Sequence, residues 1–126
     1  MRISKIIGIV LIIFSNCSIA YSEQLIDAQM LFDSYIDNRQ TADSKHGGKR
    51  LRIVGLAEKP FGPIGDRILI SFKIKNRQIG QSVSSNMVYE KNGFTGTIQE
   101  GQKLELSCII KGANDFGMVN LTDCHP

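Results

Sequence analysis

Tryptophan is absent from the sequence, and of its 126 residues only three are tyrosine and six are phenylalanine. Proteins that hold single-stranded nucleic acid stack its bases on aromatic rings set in a basic groove. Few such rings are available here, because Phe61, Phe94 and Phe116 fall in turn segments and Phe72 in an apolar strand pattern. Histidine is scarcer still: His46 sits in a polar, glycine-flanked stretch and His125 is the penultimate residue. A Ser-His-Asp arrangement needs an imidazole held beside its nucleophile, and both histidines read instead as exposed bystanders. They do not supply the further ligands a zinc site would require. The Gly62-Pro63-Ile64-Gly65 and Gly93-to-Gly96 stretches lack the Lys-Ser/Thr ending of a phosphate loop and the spacing of a dinucleotide fingerprint. Glu90, Glu100 and Glu105 show no spacing that singles out a general acid and base. The reading is therefore no cofactor, no metal and no enzyme.

A long hydrophobic run is also missing. The apolar segment Ile6–Phe14 follows Arg2 and Lys5 and stops at Ser15-Asn16, well short of the roughly 20 residues that a membrane-spanning helix needs. Basic start, short apolar centre and small polar end are the layout of a secretory signal peptide. Small residues allow cleavage after Ala20 or after Ser22, and the second is preferred. Residues 1–22 are accordingly expected to be a leader, with no stable membrane span, and residues 23–126 a single periplasmic domain. Cys17 gives a minor alternative, a lipoprotein cut just before that cysteine. The preceding Phe14-Ser15-Asn16 departs from the usual box, which has a leucine first and a glycine or alanine last.

The remaining 104 residues have room for one modest core. The leader removes two of the 15 basic residues and none of the 12 acidic ones, so the formal charge falls from +3 to +1. A near-neutral surface argues against binding nucleic acid through its phosphates. Cys108 and Cys124 are the two cysteines left, and in an oxidising compartment they are expected to form one structural disulfide.

Apolar residues at Leu25, Ile26, Leu31, Phe32, Tyr35 and Ile36 predict an amphipathic helix over 24–38 that packs Leu31, Phe32, Tyr35 and Ile36 on the core. The polar stretch 38–48 ends in two glycines and reads as a turn. Five strands follow: 49–57, interrupted by Gly55 as a bulge or sharp coil; 68–75 after a Pro/Gly turn; a weaker one over 83–89; 103–110; and 118–122. Short strands with interspersed glycines favour a mainly β, five-stranded barrel over 49–124 rather than an open sheet with bare edges.

Several segments taken together resemble the bacterial tRNA_anti-like family of OB-fold proteins. They are Tyr35, Asn38 and Ala42-Asp43; the Gly48–Gly55 strand; Gly101–Cys108; and Val119–Cys124. The resemblance covers nearly all of the mature chain, though Val83–Tyr89 lacks a cysteine that some relatives carry there. It implies an OB-fold-like barrel whose ligand face would lie on the second and third strands and their loops, with Lys73, Lys75, Arg77 and Tyr89 as candidate contacts. A solvated strand face accounts for the same residues more simply. Fold likeness conveys no activity. The function expected is a non-catalytic binding or adaptor module of the cell envelope, with an envelope protein or an anionic polymer as partner and nucleic acid unfavoured. The alternative is an oligonucleotide- or oligosaccharide-binding OB-fold protein.

Overall fold

The computed structural model describes residues 23–88 and 98–126, with the side chains of 63, 64 and 86–88 left aside. The expected leader, Cys17 and Tyr89 lie outside the described residues.

The first element is a strand, β1, at Leu25–Asp27, and it pairs parallel with β2 at Arg50–Leu56. The helix predicted from residue 24 starts only at Ala28, because the Asp27 carboxylate caps it by accepting from the backbone N–H of Gln29 at 2.8 Å and of Met30 at 3.3 Å. Helix α1, Ala28–Asp37, buries Ala28, Leu31, Phe32 and Tyr35, as its apolar spacing requires. Ile36 departs from the expectation and is half exposed at the rim of the stripe.

The polar stretch read as a turn is a second helix, α2, at Arg39–His46. Asn38 starts it, accepting from the Thr41 N–H at 3.0 Å, while its own N–H closes α1 by donating to Ser34 at 3.1 Å. Only Ala42 and His46 of α2 reach the interior, so no apolar stripe announces it. The Tyr35 hydroxyl donates to Asp43 at 3.1 Å and ties the two helices together. His46 is buried, not the exposed bystander that its polar surroundings suggest. Burial, with Lys45 and Lys49 nearby, holds its pKa below the usual histidine value.

The remaining strands are β3 Phe61–Ile64, β4 Arg67–Ser71, β5 Ser82–Val88, β6 Lys103–Ala113 and β7 Met118–His125. The five expected strands are therefore β2 and β4–β7. The extra ones are β1 and β3, the latter pairing with β4 inside what reads as a turn segment. Their order is β1-β2-β6-β7-β5-β4-β3, with β5 and β7 parallel and the β2–β6, β6–β7 and β4–β5 pairs antiparallel. The sheet is open and seven-stranded rather than the closed five-stranded barrel expected. Its two halves touch at an isolated bridge between Ala57 and Phe72, where Glu58 donates to the Ser71 carbonyl at 2.9 Å and Lys73 to that of Leu56 at 2.7 Å. A short seam thus brings β2 to β4, and the result is the OB-fold-like, mainly β architecture. Gly55 makes no bulge, since the β2–β6 register runs through it without a slip. A Cβ there would lie 2.7 Å from the Phe72 ring and 3.1 Å from the Ala28 methyl, so glycine is needed for close approach.

The interior is one cluster that includes Leu31, Ile53, Ile70, Phe72, Val83, Leu106, Ile110 and Val119. Cys108 and Cys124 join β6 to β7 within it, with their sulfurs 2.10 Å apart. An extra β7 residue, Asp123, stands at φ 50° where the register slips, and this lets Cys124 face inward opposite Cys108.

Cys108→Ser should lower stability by about 2–4 kcal/mol on the loop-entropy account while leaving the fold recognisable by circular dichroism. Equal denaturation midpoints for oxidised and reduced wild-type protein would contradict this. His46 gives a second test. Because its folded-state pKa is depressed, its contribution is complete above about pH 6.5 and is lost as pH falls, when the unfolded chain takes up the proton first. The melting temperature should fall between about pH 7.5 and pH 5, and His46→Gln should flatten part of that slope.

Candidate functional site

Strand alternation sends Ile68 and Ile70 of β4, Val83 of β5, and Val119 and Leu121 of β7 inward. The intervening residues Leu69, Ser71, Ser82, Ser84, Met118, Asn120 and Thr122 line an open groove of about 590 Å³ on the outer face of these strands. The Ser82 and Ser84 hydroxyls are 3.1 Å apart. At the turn end Arg77 donates to the Gln81 carbonyl at 2.9 Å and pairs with Glu58 at 3.2 Å. Lys111 joins the groove from β6, where a second register slip beside Gly112 turns the strand. Among the described residues Lys111 has no carboxylate partner. The lining thus mixes hydroxyl and amide groups with apolar surface from Leu69, Met118 and Leu121, and adds two cations and one carboxylate. Among the described residues no aromatic side chain lines it.

A second groove, about 800 Å³, lies at the seam between the start of α1, the end of β2 and the chain beyond β4. Gly55, Leu56 and Ile74 form its floor, and Lys59, Lys73, Lys75, Glu58 and Glu100 stand around it. Glu58 borders both grooves.

The sequence groups Lys73, Lys75 and Arg77 as one basic cluster, but the structure separates them. β4 ends at Ser71, so Lys75 and Arg77 belong to the turn region rather than to the strand face. Lys73 and Lys75 enter the seam groove, and Arg77 enters the sheet-face groove. Lys73 lies 3.6 Å from Glu100, and Arg77 is paired with Glu58, so neither acts as an isolated charge. Lys111, Ser84, Asn120 and Thr122 escaped the sequence reading. Polar alternation along β7 was visible, but the parallel β5–β7 pairing that places these residues beside Ser82 and Ser84 was not.

A third polar group, on β2, β6 and β7, is internally satisfied. Arg50 donates to the Ser107 hydroxyl at 3.1 Å and to the Asp123 carbonyl at 3.1 Å, and also pairs with the Asp123 carboxylate. The fully buried Ser107 hydroxyl donates to Glu23 at 2.7 Å, and Arg52 bridges Glu23 and Glu105 at 3.5 and 3.3 Å. His125 touches Arg50 and not a serine, so among the described residues no serine–histidine hydrogen bond forms. The described residues hold no group of three metal-ligating side chains and no helix long and apolar enough to cross a membrane.

A mainly β sheet of this strand order, curled until Ala57 meets Phe72, defines an OB-fold-like protein. The tRNA_anti-like family model matches residues 15–125, and the chain belongs to that family. Among solved structures it is similar to a proposed nucleic acid-binding lipoprotein from Klebsiella pneumoniae subsp. pneumoniae MGH 78578. The two share 13% sequence identity at a TM-score of 0.62, over 85% of this chain and 93% of the other. At that identity the likeness establishes the fold. No curated protein matches the chain.

Proposed function

We propose that this protein is an exported, non-catalytic binding module of the bacterial cell envelope that holds an extended anionic polymer across the outer face of β4, β5 and β7. The observation that carries the reading is the groove there, lined by Ser71, Ser82, Ser84, Asn120 and Thr122 and flanked by Arg77 and Lys111. Hydroxyl and amide groups suit a hydroxyl-rich chain, while the two cations favour negative charge by electrostatic complementarity. The leader pattern at residues 1–22 and the Cys108–Cys124 disulfide support an oxidising, periplasmic address. A lipid-anchored form through Cys17 is the minor alternative, and the Klebsiella structure is of a protein described as a lipoprotein.

One observation favours nucleic acid as a second reading. Phe61 is 65% exposed and sits across the β3–β4 ladder from Leu69, which lines the groove, so a single ring is available for stacking. The description of the Klebsiella protein points the same way.

Calorimetric titration with solubilised peptidoglycan glycan strands and with a single-stranded oligonucleotide separates the two. The polymer reading expects the glycan to bind with marked salt dependence, Lys111→Glu to weaken it by about tenfold, and Phe61→Ala to matter little. Tighter binding of the oligonucleotide, lost in Phe61→Ala, would establish the second reading instead. The address is tested by mass spectrometry of the osmotic-shock fraction, where the mature chain should begin at Glu23 or Tyr21. A diacylated species beginning at Cys17, found only in membranes, would make it a lipoprotein.

A further inference from the structure

The seam groove holds three carboxylates, all of them committed. Asp27 caps α1, Glu58 pairs with Arg77 at 3.2 Å, and Glu100 pairs with Lys73 at 3.6 Å. Lys59 and Lys75 are different: both are exposed, and neither has a carboxylate within ion-pair distance among the described residues. Lys75 is also fixed in place. The Gln29 side-chain amide accepts from its backbone N–H at 2.8 Å and donates to its carbonyl at 3.4 Å, as a neighbouring strand would. In the same groove the floor is apolar, with Leu56 49% exposed beside the nearly buried Ile74.

We propose that this groove docks an acidic segment of a partner protein, with one apolar side chain laid on Leu56 and carboxylates meeting Lys59 and Lys75. An exposed leucine and two uncompensated ammonium groups in one groove call for a ligand that is apolar and anionic within a few ångströms, as a peptide of alternating side chains is. A glycan fits poorly, because the floor has no hydroxyl and the one amide, Gln29, is used on Lys75. This surface is separate from the sheet-face groove, and the proposal stands whether or not the polymer reading holds.

The test uses the full mature protein and fluorescence anisotropy with a labelled peptide alternating leucine and glutamate. A leucine–lysine peptide and phosphatidylglycerol vesicles serve as competing probes. Binding of the acidic peptide alone is expected. Lys59→Glu with Lys75→Glu should weaken it by at least about tenfold, and Leu56→Ser should weaken it too, while Lys45→Glu on α2 leaves it unchanged. Should the double variant melt below the wild type, Lys75→Gln alone is the readout and should weaken binding measurably. Unchanged affinity in these variants, equal binding of the basic peptide, or vesicle binding that depends on the same lysines would overturn the proposal.

Discussion

The two halves of the open sheet can touch because Gly55 has no side chain. The Phe72 ring and the Ala28 methyl occupy the space where a Cβ would stand, which lets β2 run close enough to β4 for Ala57 to bridge Phe72. Ala57 serves both neighbours: its N–H donates to Gln102 at 2.8 Å, its carbonyl accepts from Gly101 at 2.8 Å, and Phe72 flanks it on the other side. β1 and β3 remain the edge strands of the sheet, and both are short, which limits the pairing with other chains that bare edges invite. The seam also creates the surface divided between the two grooves. Glu58, the next residue, borders both, and its pairing with Arg77 forms a polar ridge between them.

Charge is spread so evenly that no broad field marks a binding face. Arg39, Arg50, Arg52, Lys73 and Arg77 each stand beside a carboxylate, most of them at the surface where such pairs contribute little to stability. What such pairing achieves is selectivity of position. Once the paired charges cancel, Lys111 on the sheet face and Lys59 and Lys75 at the seam are the cations left near the grooves without a carboxylate partner among the described residues. On the reading proposed above, recognition rests on a few placed groups and on groove shape, not on net charge.

Much of the architecture was legible, and the exceptions have physical causes. Period-two alternation found β2, β4 and β6 because their apolar residues are buried at every second position, Leu51 and Ile53, Ile68 and Ile70, and Leu104 to Ile110, even though Ser107 between them on β6 is buried as well. Helix α1 was legible from its stripe, but its first turn was overrun because Leu25 and Ile26 read as helical until Asp27 is recognised as a cap. Helix α2 was missed because only two of its residues face the core. The signal present was Asn38, a good capping residue, followed by the Ala42-Asp43 pair that Tyr35 engages. The disulfide followed from counting cysteines. The candidate site was legible only in part, since Lys73, Lys75 and Arg77 are neighbours in sequence but diverge where the strand ends. Ser84 and Asn120 meet only through a parallel pairing between strands far apart in the chain, and Lys111 reaches the groove only because the β6–β7 register slips beside it.

The earliest described residues are bound to some of the last. Glu23 accepts from Ser107, 84 residues away, and Arg50 is held by Asp123, while Cys108 waits for Cys124. A chain delivered N-terminus first from a ribosome can pair β1 with β2, but it cannot hold Glu23 or cover the other side of β2 until β6 has emerged. Contacts of such long sequence separation are slow to form and leave little stable structure in a partly delivered chain. The same topology thus defers stable structure until β6 and β7 are available to pair.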